Sequence, residues 1–110
     1  MIINRNAVVI IPKQAFFDWA NMVFPDDPTN PDDYLDYNTY LIPAESDIED
    51  PEEALANFWE FIFENELFDI STDDSDWPEF LTWDLFKQFF KWHFSSIVTD
   101  LVENPFYSEN

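Results

Sequence analysis

The side chains of this sequence that could do chemistry are nearly all carboxylates. Twenty-four Asp and Glu stand against four Lys or Arg and one His, and there is no Cys and no Gly. The densest group is "DISTDDSDWPEF" at 69–80, which sets four aspartates and a glutamate beside Trp77 and Phe80. Oxygen ligands at this density suggest a hard cation. A calcium loop of the EF-hand type needs oxygens at alternate positions, Gly at the sixth and Glu at the twelfth. Counted from Asp69, the sixth position is Asp74 and the twelfth is Phe80; counted from Asp73, the fifth is Trp77. Neither register serves, and no metal site is assigned. The stretch reads instead as a helix-to-helix connection, with Asp76 capping a turn and Glu79 three residues on as in a capping box.

A second acidic group falls on a helix expected from Asp50 to about Leu67. Glu53, Glu60 and Glu64, with Asn57 between them, share one face opposite Leu55, Phe58, Trp59 and Ile62. Like charges one turn apart gain nothing from each other. Glu53, Glu60, Glu64, Asp73, Asp74 and Asp76 are therefore the candidate partner-binding residues, either as a docking face that imitates phosphate spacing or as a solvated surface. Glu66 departs from the pattern, falling at the angle of Leu55, Trp59 and Ile62. A buried carboxylate must find a cation or keep its proton. The available cations are Arg5, Lys13, Lys87, Lys91 and His93.

No catalytic residue is assigned. His93, Ser96 and Asp100 on one helix would resemble a hydrolytic triad, but seven residues separate His93 from Asp100. That is about 10 Å along a helix axis, too far for a hydrogen bond to the ring. One His without Cys does not make a zinc site. Lys87 lies three residues after Asp84 and reads as a local ion pair.

The elements that must position these groups follow from hydrophobic spacing. "AVVII" (7–11) reads as a buried strand and 13–24 as a helix with Phe16, Trp19, Ala20 and Val23 on one face, ended by Pro25. Residues 25–38, rich in Asp and Pro, form a loop, and "TYLI" (39–42) is a second strand. "DPEE" (50–53) is the clearest helix start, with Asp50 as cap and Pro51 at the first position. A last helix runs from Thr82 to about Val102 with Trp83, Phe86, Phe90, Phe94, Ile97 and Leu101 on one face; 104–110 reads as a tail. The fold expected is a single α+β domain over 1–110 in the order β-α-β-α-α, its two- or three-stranded sheet packed by three helices. Two strands joined through a helix favour parallel pairing with a right-handed crossover. Two strands alone make a poor sheet, so either a third lies in 32–38 or strands pair between two chains.

Charge narrows the partners. The net charge is −20, and residues 26–79 carry nineteen acids with no Lys or Arg. Without a basic footprint, direct nucleic-acid binding and anionic membrane surfaces are both excluded. A partner steered by this field is basic or a cation. With no Gly, phosphate-cradling and dinucleotide loops cannot be written, so no cofactor is expected. The absence of Cys, of a signal peptide and of a membrane-spanning run points to the cytoplasm.

"NRNAVVIIPKQAFFDW", "YLIP", "FWEFIFENELF", and "WP" followed by "LFKQFF" and "DL" together resemble a family of small acidic bacterial proteins over roughly 4–101. That family has no assigned activity, so the resemblance implies one fold unit and no site residue. Three functions remain. The first is a non-enzymatic acidic protein that docks a basic protein surface, with a nucleic-acid mimic as its special case. The second is a small homodimeric structural protein whose acidity serves solubility, and the third a divalent-cation-dependent enzyme.

Overall fold

The structure, a computed structural model, describes residues 2–34 and 36–102. In chain order its elements are β1 (Ile2–Ile3), β2 (Arg5–Pro12), α1 (Gln14–Val23), β3 (Thr39–Pro43), α2 (Pro51–Leu55), α3 (Trp59–Phe68), α4 (Trp83–Phe89), β4 (Phe90–Ser95) and β5 (Val98–Thr99), with 3-10 turns at Pro31–Asp33 and Asp74–Asp76. This is a small α+β fold, as its pattern of strands and helices indicates. The suggested tail at 104–110 lies outside the described residues.

The strand β2 is the spine. It pairs antiparallel with β3 on one side (Ala7 opposite Leu41, Val9 opposite Thr39) and with β4 on the other (Ala7 opposite Ser95, Pro12 opposite Phe90). A separate two-stranded ribbon joins β1 to β5. The expected parallel crossover is corrected: the loop 24–38 is long enough to bring the chain back, and β3 enters in the opposite sense. The Ile10 amide donates to the Asn38 carbonyl at 3.0 Å, just before β3 begins.

The third strand comes from the segment expected to continue the last helix. Phe86, Phe90 and Phe94 are spaced for a helix, while Phe90, Trp92 and Phe94 are spaced for a strand. The backbone turns extended at Phe90 (φ −135°, ψ 148°). From there burial alternates, with Phe90, Trp92 and Phe94 inward and Lys91, His93 and Ser95 outward. An open edge of β2 offers inter-strand hydrogen bonds that a longer helix would leave unmade. Beyond the strand, Ile97 and Leu101 are 72% and 91% exposed, not on a core face.

The second expected helix is also interrupted. The amides of Ala56 and Phe58 donate three residues back, to Glu53 and Leu55, and regular α-helix resumes at Trp59. Local caps form as their residue types dictate: Asp50 Oδ1 accepts from the Glu53 amide at 3.3 Å, and Thr82 Oγ1 from Leu85 at 3.1 Å.

The core is largely aromatic. Phe16, Phe63, Phe86 and Phe90 are fully buried, and Phe86–Phe90 centroids lie 5.1 Å apart. Phe63 meets Phe86, Phe89 and Phe90 edge-on at 5.5–5.7 Å, joining α3 to α4 and β4. The chain has no Gly, and among the described residues none takes a positive φ. Every described turn is built from right-handed or extended backbone.

Candidate functional site

The helix α3 carries two different faces. Inward, Ile62, Phe63, Glu66 and Leu67 are buried. Outward, Phe61, Glu64, Asn65 and Phe68 follow at i, i+3, i+4 and i+7, the spacing of one helical stripe. Phe61 is 66% exposed and Phe68 52%. With Trp77, these four residues line an open groove of about 370 Å³.

Trp77 is held by a self-capped turn. Asp73 Oδ1 accepts from the Ser75 amide at 3.0 Å and from the Ser75 hydroxyl at 2.7 Å. The hydroxyl bond above all holds the Asp73 carboxyl below its usual range. The Ser71 hydroxyl donates to Asp76 Oδ2 at 2.7 Å, Trp77 Nε1 donates to the Ser71 carbonyl at 2.9 Å, and Trp19 Nε1 donates to the Asp76 carbonyl at 3.0 Å. The expected connection is thus confirmed as an ordered turn, but Asp73 rather than Asp76 is its cap. Among the described residues, no three Asp, Glu or His are grouped so as to hold a metal ion.

Behind the groove, the buried side of α3 is tied to β3 through Glu66, which is 1% exposed. Tyr40 Oη donates to Glu66 Oε2 at 2.6 Å and Asn38 Nδ2 donates to the same oxygen at 2.7 Å. Asn38 Nδ2 also reaches Asp69 Oδ2 at 2.7 Å, and Asn65 Nδ2 donates to Tyr40 Oη at 2.8 Å. No cation joins this network, and Glu66 Oε1 is buried with no hydrogen-bond partner among the described residues. Burial pushes the Glu66 carboxyl above its usual range, against the pull of the two bonds it accepts. Burial likewise raises Tyr34 to about 12, with the Glu66 charge adding to the effect. Between the two outcomes the sequence left open for Glu66, the structure supplies neutral donors instead of a counter-ion.

The candidate acidic residues are placed as follows. Glu53 sits on α2 and is cut off by the break at 56–58 from a continuous face with Glu60 and Glu64 on α3. All three are exposed, as are Asp73 and Asp74, while Asp76 is half-buried. Of the nineteen acids in 26–79, seventeen are exposed; Asp76 and Glu66 are the exceptions. The ion pair found among the described residues, Lys87 Nζ to Asp84 Oδ1 at 3.4 Å, lies outside that segment. Lys13 Nζ donates to the Lys87 carbonyl at 3.0 Å, and Lys91 lies on β4 opposite Ile11. Arg5 lies at the opposite end of β2. His93 points outward from β4 opposite Val9, in a strand rather than on a helix flank, so no helical triad with Ser96 and Asp100 exists.

The residues that sequence reasoning passed over are Phe61, Phe68 and Trp77. Their signal was present: two phenylalanines seven apart fall on the same side of the helix as Glu60 and Glu64, where a merely solvated face would be polar. No helix among the described residues is long and apolar enough to cross a membrane. Comparison of the chain with protein-family models, with curated proteins and with solved structures gave no match, so no residue role is carried over from another protein.

Proposed function

We propose that this chain is a non-enzymatic acidic binding protein that docks a basic protein surface through the outer face of α3 and the neighbouring 73–77 turn. One observation carries this reading: seventeen of the nineteen acids between 26 and 79 are exposed, and none is ion-paired among the described residues. Exposed like charges cost the folded state through mutual repulsion and steer an oppositely charged partner toward it. The absence of Cys suits a reducing setting, and the cytoplasm is the compartment we assign.

The test is a titration against basic proteins at rising ionic strength. Association at 20 mM salt should weaken steeply by 200 mM, because exposed charges are screened over about 10 Å at 0.1 M. Absence of binding to any basic protein at low salt would remove the proposal. Displacement of DNA from a basic partner would identify the mimic as the form that docking takes.

A second reading, a homodimer, is favoured by the exposed Ile2 on β1 and Ile97 beside β5. Exposed apolar side chains flanking a two-stranded ribbon are a place for a second chain to pack. Sedimentation at tens of micromolar separates a dimer from a monomer.

A further inference from the structure

A protein that met its partner by charge alone would need no apolar groove beside the exposed Glu64. Phe61 and Phe68 are seven residues apart on α3, about 10 Å along the helix axis, and Glu64 and Asn65 lie between them. Trp77 closes one side of the groove and is fixed there by its bond to the Ser71 carbonyl. The groove's rings therefore sit on a prepared wall, since α3 is anchored from behind by Glu66, Tyr40 and Asn38. At about 370 Å³ it is at the small end of ligand clefts, with room for one or two side chains.

We infer that this groove takes a single apolar anchor, aromatic or leucine, from a basic peptide segment whose flanking Lys or Arg side chains face Glu60 and Glu64. The inference rests on the acidic-docking reading and names the form of the partner. Charge complementarity selects this occupant over a second copy of the chain. A twofold interface centred here would set Glu64 near its own counterpart, on two molecules that each carry −20. It also selects a peptide over a nucleic-acid-binding surface, because the mimic needs charge spacing and gains nothing from exposed Phe61 and Phe68.

Two synthetic peptides of equal length and charge test this by fluorescence anisotropy. One is lysine-rich with a central leucine, and the other has serine in its place. At low salt the leucine peptide should bind about tenfold tighter. Phe61→Ser should abolish that difference by bringing the leucine peptide down to the affinity of the serine peptide for the same variant. Phe68→Gln, also at an exposed position, should do the same and serves if the first variant folds poorly. Raising the salt should weaken both peptides while leaving their ratio intact, since apolar contact is not screened. Equal affinities for the two peptides would overturn the groove as an anchor site and leave acidic docking standing. If neither peptide binds at low salt, both readings fall. A wild-type dimer at tens of micromolar that Phe61→Ser splits would overturn the inference by placing a second copy in the groove.

Discussion

Removing one oxygen, by Tyr40→Phe, tests how α3 is held. Tyr40 Oη donates to Glu66 Oε2 at 2.6 Å and accepts from Asn65 Nδ2 at 2.8 Å. Without it, Glu66 keeps Asn38 as its hydrogen-bond donor and Oε1 stays bare. Depriving a buried polar group of a partner costs about 2 kcal/mol. At about 2.1 cal/mol/K per residue, the 110 residues have an unfolding entropy of about 230 cal/mol/K, so Tm should fall by about 9 °C. The penalty should also depend on pH. The Glu66 carboxyl titrates above its usual range in the folded state because burial opposes its charge, and the Tyr40 bond pulls the other way. A raised folded pKa means that stability is whole below the unfolded value and is lost as pH rises toward the folded one. Removing the bond raises the folded value further and extends that loss. Tyr40 itself is pushed well above the usual tyrosine value, chiefly by burial, and remains a donor throughout. Urea unfolding of variant and wild type at pH 4, 6 and 8 reads the difference, in which the repulsion of the other acids cancels. A penalty equal at all three pH values, or smaller at pH 8 than at pH 4, would refute this account of the network.

Two further outcomes are expected. Glu66→Gln keeps the shape of the neutral carboxyl, so its stability relative to wild type should rise from pH 4 to pH 8; a flat difference by denaturant unfolding would show that Glu66 does not titrate above the usual range. Phe63→Ala removes the ring that meets Phe86, Phe89 and Phe90 and should cost about 3–5 kcal/mol in the same assay; a loss under 1 kcal/mol would show that the core closes over the cavity.

Much of the local structure was legible because its causes are local. Asp50 and Thr82 cap the helices they were expected to begin. The face of Phe16, Trp19 and Ala20 is buried as its spacing requires. The burial of Glu66 followed from its angle on the helix, but its partners did not. Asn38 and Tyr40 lie twenty-eight and twenty-six residues away and carry no charge, so a search among cations could not find them. The groove was missed for another reason. Phe61 and Phe68 were spaced to be seen, but Trp77 reaches them only through the fold of the 71–77 turn.

By itself the sequence determined the charge of −20, its concentration in 26–79, the aromatic makeup of the core and the starting points of α2 and α4, since these depend on residue type and near-neighbour spacing. Tertiary structure alone decided that 90–95 is a strand. Phe86, Phe90 and Phe94 satisfy the helical period and Phe90, Trp92 and Phe94 the extended one, and the open edge of β2 tips the balance through hydrogen bonds to a segment some eighty residues distant. That pairing makes the sheet antiparallel and three-stranded and turns Lys91 and His93 outward. It also lays Phe90 against Phe63, the ring on the inner side of α3, whose outer side is the groove wall.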